Sequence, residues 1–108
     1  MKTVMAFGTF DIFHPGHESF LKQAKKYGRL IVVIGRDKTV KQIKHKLPKH
    51  TEKQRQLAVR ASDIADKVVL GSLTDKYTAI KKYRPDIIAL GYDQKYFVDK
   101  LKRLKFRV

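Results

Sequence analysis

LIVVIG, at residues 30–35, is the stretch on which the fold turns. Its uninterrupted apolar run, with β-branched Ile31, Val32, Val33 and Ile34, marks a strand buried on both faces, the habit of parallel strands. Upstream, HESFLKQAKKYG (17–28) places Phe20, Leu21, Ala24 and Tyr27 at helical spacing, with Lys22, Lys25 and Lys26 outward and Gly28 as the stop. This helix is expected to begin at Gly16 or His17. Before it, KTVMAF (2–7) reads as a short buried strand and GTFD (8–11) as its exit turn. Strand, turn, helix and strand form a βαβ unit that closes at Gly35.

Downstream, residues 36–50 are basic and irregular, and Pro48 argues against a helix through their middle, so a mobile loop is expected. Thr51 is placed as the N-cap of a helix whose apolar stripe is Leu57, Ala58, Ala61, Ile64 and Ala65. KVVL (67–70) reads as the third strand. A short helix over 77–83 ends at Pro85, and IIAL (87–90) is the fourth strand, followed by Gly91. A last helix is expected within 94–104, and a fifth strand begins at Phe106. The alternation predicts one α/β domain over residues 1–108, a Rossmann-like open, mostly parallel five-stranded sheet with helices on both faces. Ligands of such sheets sit beyond the carboxyl ends of the strands. The exits at Gly8, Gly35 and Gly91 open there, which directs attention to GTFDIFHPGH (8–17), GRDKTV (35–40) and GYDQ (91–94).

Composition narrows the function. The 108 residues suffice for one core, and 43% hydrophobic content is too apolar for a disordered chain. With no cysteine, disulfide scaffolds, thiolate zinc sites, iron–sulfur clusters and cysteine nucleophiles are excluded. The apolar runs are too short to span a bilayer, and Met1-Lys2 leads straight into strand-like sequence, so a cytoplasmic protein is expected. Twenty-five Lys and Arg against ten Asp and Glu give a net charge of +15, which raises the question of a polyanionic partner. Spread along the chain as they are, the lysines also fit a plain solvated surface.

The decapeptide 8–17 carries the chemistry. Gly8 lets the turn approach a ligand, and Thr9 and Phe10 present backbone N–H groups to an anion. His14 and His17, three apart across Pro15-Gly16, converge on one anion beside the positive end of a helix, and Gly16 removes a side chain that would obstruct them. Packing alone does not account for two histidines in this setting. Zinc ligation lacks a third ligand, since His45 and His50 belong to a separate loop, so no metal-ligating set is assigned.

GTFDIFHPGH resembles the signature of the cytidylyltransferase-like nucleotidyltransferases, which join an NTP to a phosphorylated acceptor and release pyrophosphate. The resemblance continues through KHKLP (44–48), EKQR (52–55), DIADKVV (63–69) and Pro85-Asp86. Arg36-Asp37 and Gly91-Tyr92-Asp93-Gln94 are most similar to the archaeal-type FAD synthases, which are FMN adenylyltransferases. The resemblance implies that His14 and His17 stabilise charge at the α-phosphate, that Lys44 and Lys46 close over the phosphates, and that Arg55 contacts phosphate. It also implies nucleotide contacts at Gly8, Thr9, Phe10 and Gly16. Gly91, Tyr92, Asp93 and Gln94 would surround base and ribose, Mg²⁺ would accompany the NTP, and the protein would be a homodimer. Asp11 is either part of the site or an orienter of its own turn, and the role of Asp37 is open. The family carries a Ser/Thr-rich triphosphate segment after the fifth strand; the sequence stops at Val108 before it, so weakened or absent turnover is expected. Two other readings stand beside an ATP and FMN enzyme. One is a cytidylyltransferase acting on a small phosphorylated alcohol such as glycerol 3-phosphate. The other is a basic nucleic-acid-binding module using Tyr77, Tyr83, Tyr92 and Tyr96 as stacking faces, which salt-dependent oligonucleotide binding would reveal.

Overall fold

The computed structural model describes residues 2–73, 77–89 and 106–107. Its centre is a sheet in the order β3-β2-β1-β4-β5, formed by β1 (Thr3–Gly8), β2 (Arg29–Ile34), β3 (Lys67–Leu70), β4 (Ile87–Ala89) and the two-residue β5 (Phe106–Arg107). Every pairing is parallel, with Val4 opposite Leu30 and Ile87, and Val32 opposite Val68. Four helices lie among the described residues: α1 (Pro15–Lys25), α2 (Asp37–Lys44), α3 (Glu52–Ala61) and α4 (Thr78–Tyr83).

Side chains alternate across a strand, so the sheet carries two cores. Val4 and Ala6 of β1 point to one face, where they join Leu21 and Ala24 of α1 and Val59 of α3. Met5 and Phe7 point to the other, against Ala79 of α4, with Ile80 and Tyr83 packed alongside. That is why the β2 run is apolar throughout: residues 30–34 are all buried, in alternation between the two clusters. At the amino ends of the strands, two carboxylates stitch the entries together. The Asp66 side chain accepts from the Leu30 N–H at 2.8 Å and pairs with Lys25, and that of Asp86 accepts from the Thr3 N–H at 2.8 Å. The Lys25 ammonium, then the Leu30 amide, hold the Asp66 carboxyl below its ordinary value of 3.8.

Several expectations are corrected. Residues 37–44 are helical, not an irregular loop; α2 ends four residues before Pro48, so the proline never meets it. α1 begins at Pro15, a favoured first helical position, and ends at Lys25. Gly28 follows a turn at φ +152°, where a Cβ would lie 2.1 Å from the Lys2 carbonyl oxygen. Tyr27 is 44% exposed, outside the core. On α3 the stripe points the wrong way: Leu57, Ala58 and Ala61 face solvent, while Arg55 and Val59 are buried, and Ile64 and Ala65 lie beyond the helix. The helix expected within 94–104 lies outside the described residues.

The strand order reverses between β1 and β4, which are neighbours although far apart in sequence. A crevice at such a switch point, beyond the carboxyl ends, is where open α/β sheets bind ligands. The decapeptide leaves β1 at that edge.

Candidate functional site

The chain leaves β1 at Gly8 and turns sharply, with Phe10 at φ 54° and Ile12 at φ 52°. Neither is glycine, and Ile12 is β-branched, so each left-handed residue costs of order 1–3 kcal/mol that the surrounding contacts must offset. Phe10 supplies much of that support. Its side chain is buried, its ring edge meets the His17 ring at a centroid distance of 5.3 Å, and a Cβ on Gly8 would lie 2.6 Å from its Cε2. Gly8 is therefore small to seat the Phe10 ring.

His14 is the N-cap of α1, a position usually held by Ser, Thr, Asp or Asn. Its Nδ1 accepts from the Gly16 N–H at 3.0 Å, and the Nδ1 of His17 accepts from the His14 N–H at 3.3 Å, which together make a capping box built from two imidazoles. The rings stack at 3.8 Å with 22° between planes, and Phe13 also stacks with His17, at 5.6 Å. Because each Nδ1 accepts, the proton of each neutral ring resides on Nε2. Both imidazoles thus present an N–H donor beside the amino end of α1, where the helix dipole also favours an anion.

Behind this turn lies a charged cluster. The amino termini of α2 and α3 cap one another: the Asp37 N–H donates to Glu52 Oε1 at 2.9 Å, and the Glu52 N–H donates to Asp37 Oδ2 at 3.3 Å. Arg36 pairs with Glu52 at 2.8 Å. Arg55, only 1% exposed, donates to Asp37 Oδ1 at 2.7 Å, to the Thr9 carbonyl at 2.8 Å and to the His50 carbonyl at 3.1 Å. Asp11 accepts from the backbone N–H groups of Lys49 at 2.8 Å and His50 at 3.0 Å. Partial burial alone would raise the Asp11 pKa, but those two amides, with the charges of His50 and Arg55, outweigh it and hold the carboxyl below 3.8. Of the residues expected at the site, Gly8, Thr9, Phe10, His14, Gly16, His17 and Arg55 gather around one turn. Lys44 ends α2 and Lys46 follows it, both exposed. Gly91, Tyr92, Asp93 and Gln94 lie outside the described residues.

The cytidylyltransferase-like family profile matches residues 5–106. The chain belongs to that family. Within it, the FAD synthase of Methanothermobacter thermautotrophicus is 51% identical over 106 residues, covering 94% of this chain and 70% of that protein. The FAD synthases of Methanothermobacter marburgensis and Aciduliprofundum boonei are 49% and 50% identical, covering 94% and 89% of this chain. The chain spans 65% and 64% of the length of those two relatives. Among solved structures, a protein described as the lipopolysaccharide core biosynthesis protein from Thermoplasma volcanium superposes with a TM-score of 0.87 at 36% identity, covering 98% of this chain and 93% of that one.

In this member of the family, sequence reasoning found the histidine pair but missed two things. It did not find the reciprocal capping of α2 and α3, or the burial of Arg55. The acid and base spacing 36, 37, 52, 55 was the available signal, and it is visible only once the two helix starts are known. Among the described residues, no group of three His, Asp or Glu is arranged to hold a metal ion. The Asp11 and Asp37 oxygens are already engaged with amides and Arg55. No helix among the described residues is long and apolar enough to cross a membrane.

Proposed function

We propose that this chain performs adenylyl transfer from ATP to FMN, forming FAD and pyrophosphate. A phosphate oxygen of FMN attacks the α-phosphorus, a new P–O bond forms, the bond to the β-phosphate bridging oxygen breaks, and pyrophosphate leaves with the electron pair. A phosphate monoester has a second pKa of about 6 and needs no general base. Catalysis is then positioning and stabilisation of charge on the α-phosphate oxygens and the leaving group. The observation that carries this reading is the stacked His14–His17 pair, whose Nδ1 atoms are spent on backbone amides so that protons sit on Nε2. The names and roughly half identity of the relatives support FMN as acceptor.

In this reading Lys44 and Lys46 neutralise the phosphates, Gly8, Thr9, Phe10 and Gly16 shape the nucleotide cradle, and Gly91, Tyr92, Asp93 and Gln94 take adenine and ribose. Arg55, expected from the sequence to contact phosphate, is instead buried and bonded to Asp37, Thr9 and His50, and in this reading it supports the cradle from behind through Thr9. The divalent ion enters as part of the MgATP substrate, held by phosphate oxygens and water rather than by a protein cage. A cytoplasmic homodimer completes the proposal, and sedimentation tests the dimer.

The test is calorimetric binding of MgATP and MgCTP, followed by FAD formation from FMN. ATP preferred, with FAD formed, is the expected result. His14→Ala and His17→Ala are each expected to lower the rate by about a hundredfold or more, by loss of a transition-state donor. Preference for CTP, with glycerol 3-phosphate as acceptor, would replace the reading with a cytidylyltransferase. Binding of neither nucleotide, together with salt-sensitive binding of mixed oligonucleotides, would replace it with a nucleic-acid module.

A further inference from the structure

Asp11 stands three residues before His14 in the same turn, yet both its carboxylate oxygens accept from Lys49 and His50, 38 and 39 residues away. It does not orient its own turn; it holds another segment. That segment is the one that carries Lys44 and Lys46. Its leading end is closed at His45, whose left-handed backbone (φ 64°) caps α2 and whose N–H donates to the Lys41 carbonyl at 2.8 Å. Its trailing end is gripped once more by Arg55, which takes the His50 carbonyl and, with the same guanidinium, the Thr9 carbonyl of the histidine turn and Asp37 at the head of α2. One buried cation thus touches the root of α2, the end of the lysine segment and the turn itself.

We propose that Asp11 and Arg55 form a clamp that fixes the lysine segment onto the histidine turn, and that both are positioning residues which act through Lys44 and Lys46. The reach of the chain makes the coupling tight. Lys46 is three residues from Lys49, and Asp11 is three from His14, so each lies within about 11 Å of one side of the clamp. Releasing Asp11 frees the tip to move by several ångströms, and a misplacement of about 1 Å can cost about a hundredfold in rate. The lowered pKa of Asp11 accords with a carboxylate that stays ionised while it accepts both amides.

The catalytic half of the proposal rests on the adenylyl-transfer reading, so two measurements separate their failures. The first is amide exchange, which needs no activity: Asp11→Ala is expected to accelerate exchange at Lys49 and His50 by about fivefold or more while the β1 and β2 amides stay protected. Asp11→Asn, which keeps one acceptor oxygen, is expected to fall between alanine and the parent. Unchanged exchange at residues 49 and 50 overturns the clamp whether or not the protein makes FAD. The second is a double-mutant cycle on FAD formation. Asp11→Ala and Lys46→Ala are each expected to lower kcat about ten- to a hundredfold with little change in KM for FMN, and the double variant to be no worse than Lys46→Ala by more than about twofold. Additive losses would mean that Asp11 does not act through the lysine, and would overturn the positioning role. A parent protein that makes no FAD but shows the exchange result removes the function and leaves the clamp.

Discussion

Gly16 occupies the second position of α1, where alanine would be the better helix former by about 1 kcal/mol. The site forbids it. A Cβ there would stand 2.8 Å from His14 Cε1 and 3.0 Å from Nδ1, the atom that accepts the Gly16 N–H. Gly16→Ala is therefore expected to rotate the His14 ring out of its stack and out of its cap bond, so that the lost cap offsets the helix gain and Tm moves little, while FAD formation falls by about tenfold or more. Thermal melting and activity on one preparation check both halves; a variant that is fully active removes the need for the stacked pair. At this scale the sequence was informative because the contacts are local: His14 reaches Gly16 and His17 within one turn, so residue types and spacing were enough to show convergence. Asp11 and Arg55 were opaque for the opposite reason, since the partners of Asp11 lie 38 and 39 residues away, Arg55 reaches 18 residues back to Asp37 and 46 back to Thr9, and no spacing within a motif encodes them.

Elements were legible where burial follows a period and obscure where it does not. The β-branched run of β2, the glycine exits and the Thr51 N-cap, whose side chain accepts from the Gln54 N–H at 3.2 Å, all follow from local chemistry. α2 did not, because its first turn is satisfied by Glu52 from another helix rather than by a neighbour in sequence. α3 misled because its buried face holds Val59 together with Arg55, a cation that burial statistics place outside. Two substitutions test the reversed face. Val59→Ala should cost about 2 kcal/mol, from two buried methyl groups and the cavity they leave, whereas Leu57→Ala, at 59% exposure, should stay within about 0.5 kcal/mol in denaturant titration. The tie between α1 and β2 has its own signature in pH. Asp66 has a folded-state pKa depressed below 3.8, so between that lowered value and 3.8 the unfolded chain binds more protons and stability rises with pH. The contribution is complete above 3.8 and is lost as pH falls through the folded value. Asp66→Asn should accordingly melt below the parent at neutral pH, with the two curves converging in acid.

For the whole molecule, topology and charge work together. Parallel order puts the decapeptide at the switch between β1 and β4, and Asp11 ties the lysine segment to the same turn, while over the whole chain basic residues outnumber acidic ones by 25 to 10. That excess has a cost in stability, because a net charge of +15 on 108 residues repels itself in the compact state. Against it stand three ion pairs among the described residues, Lys25–Asp66, Arg36–Glu52 and Arg55–Asp37. Salt weakens both, but unequally. The Arg55 side chain is fully buried and the Arg36–Glu52 pair is largely covered, so screening reaches them little, while exposed lysines such as Lys22, Lys41 and Lys44 are accessible to counterions. Raising NaCl from about 50 mM to about 500 mM shortens the Debye length from about 14 Å to about 4 Å, and the relief of self-repulsion should exceed the loss from the exposed pairs. Tm is therefore expected to rise across that series, while MgATP affinity falls over the same range as steering by the lysines is screened. A Tm that falls instead would mean that the exposed pairs, Lys25–Asp66 above all, outweigh the repulsion of the excess lysines, and that the basic surface is better balanced than its net charge implies.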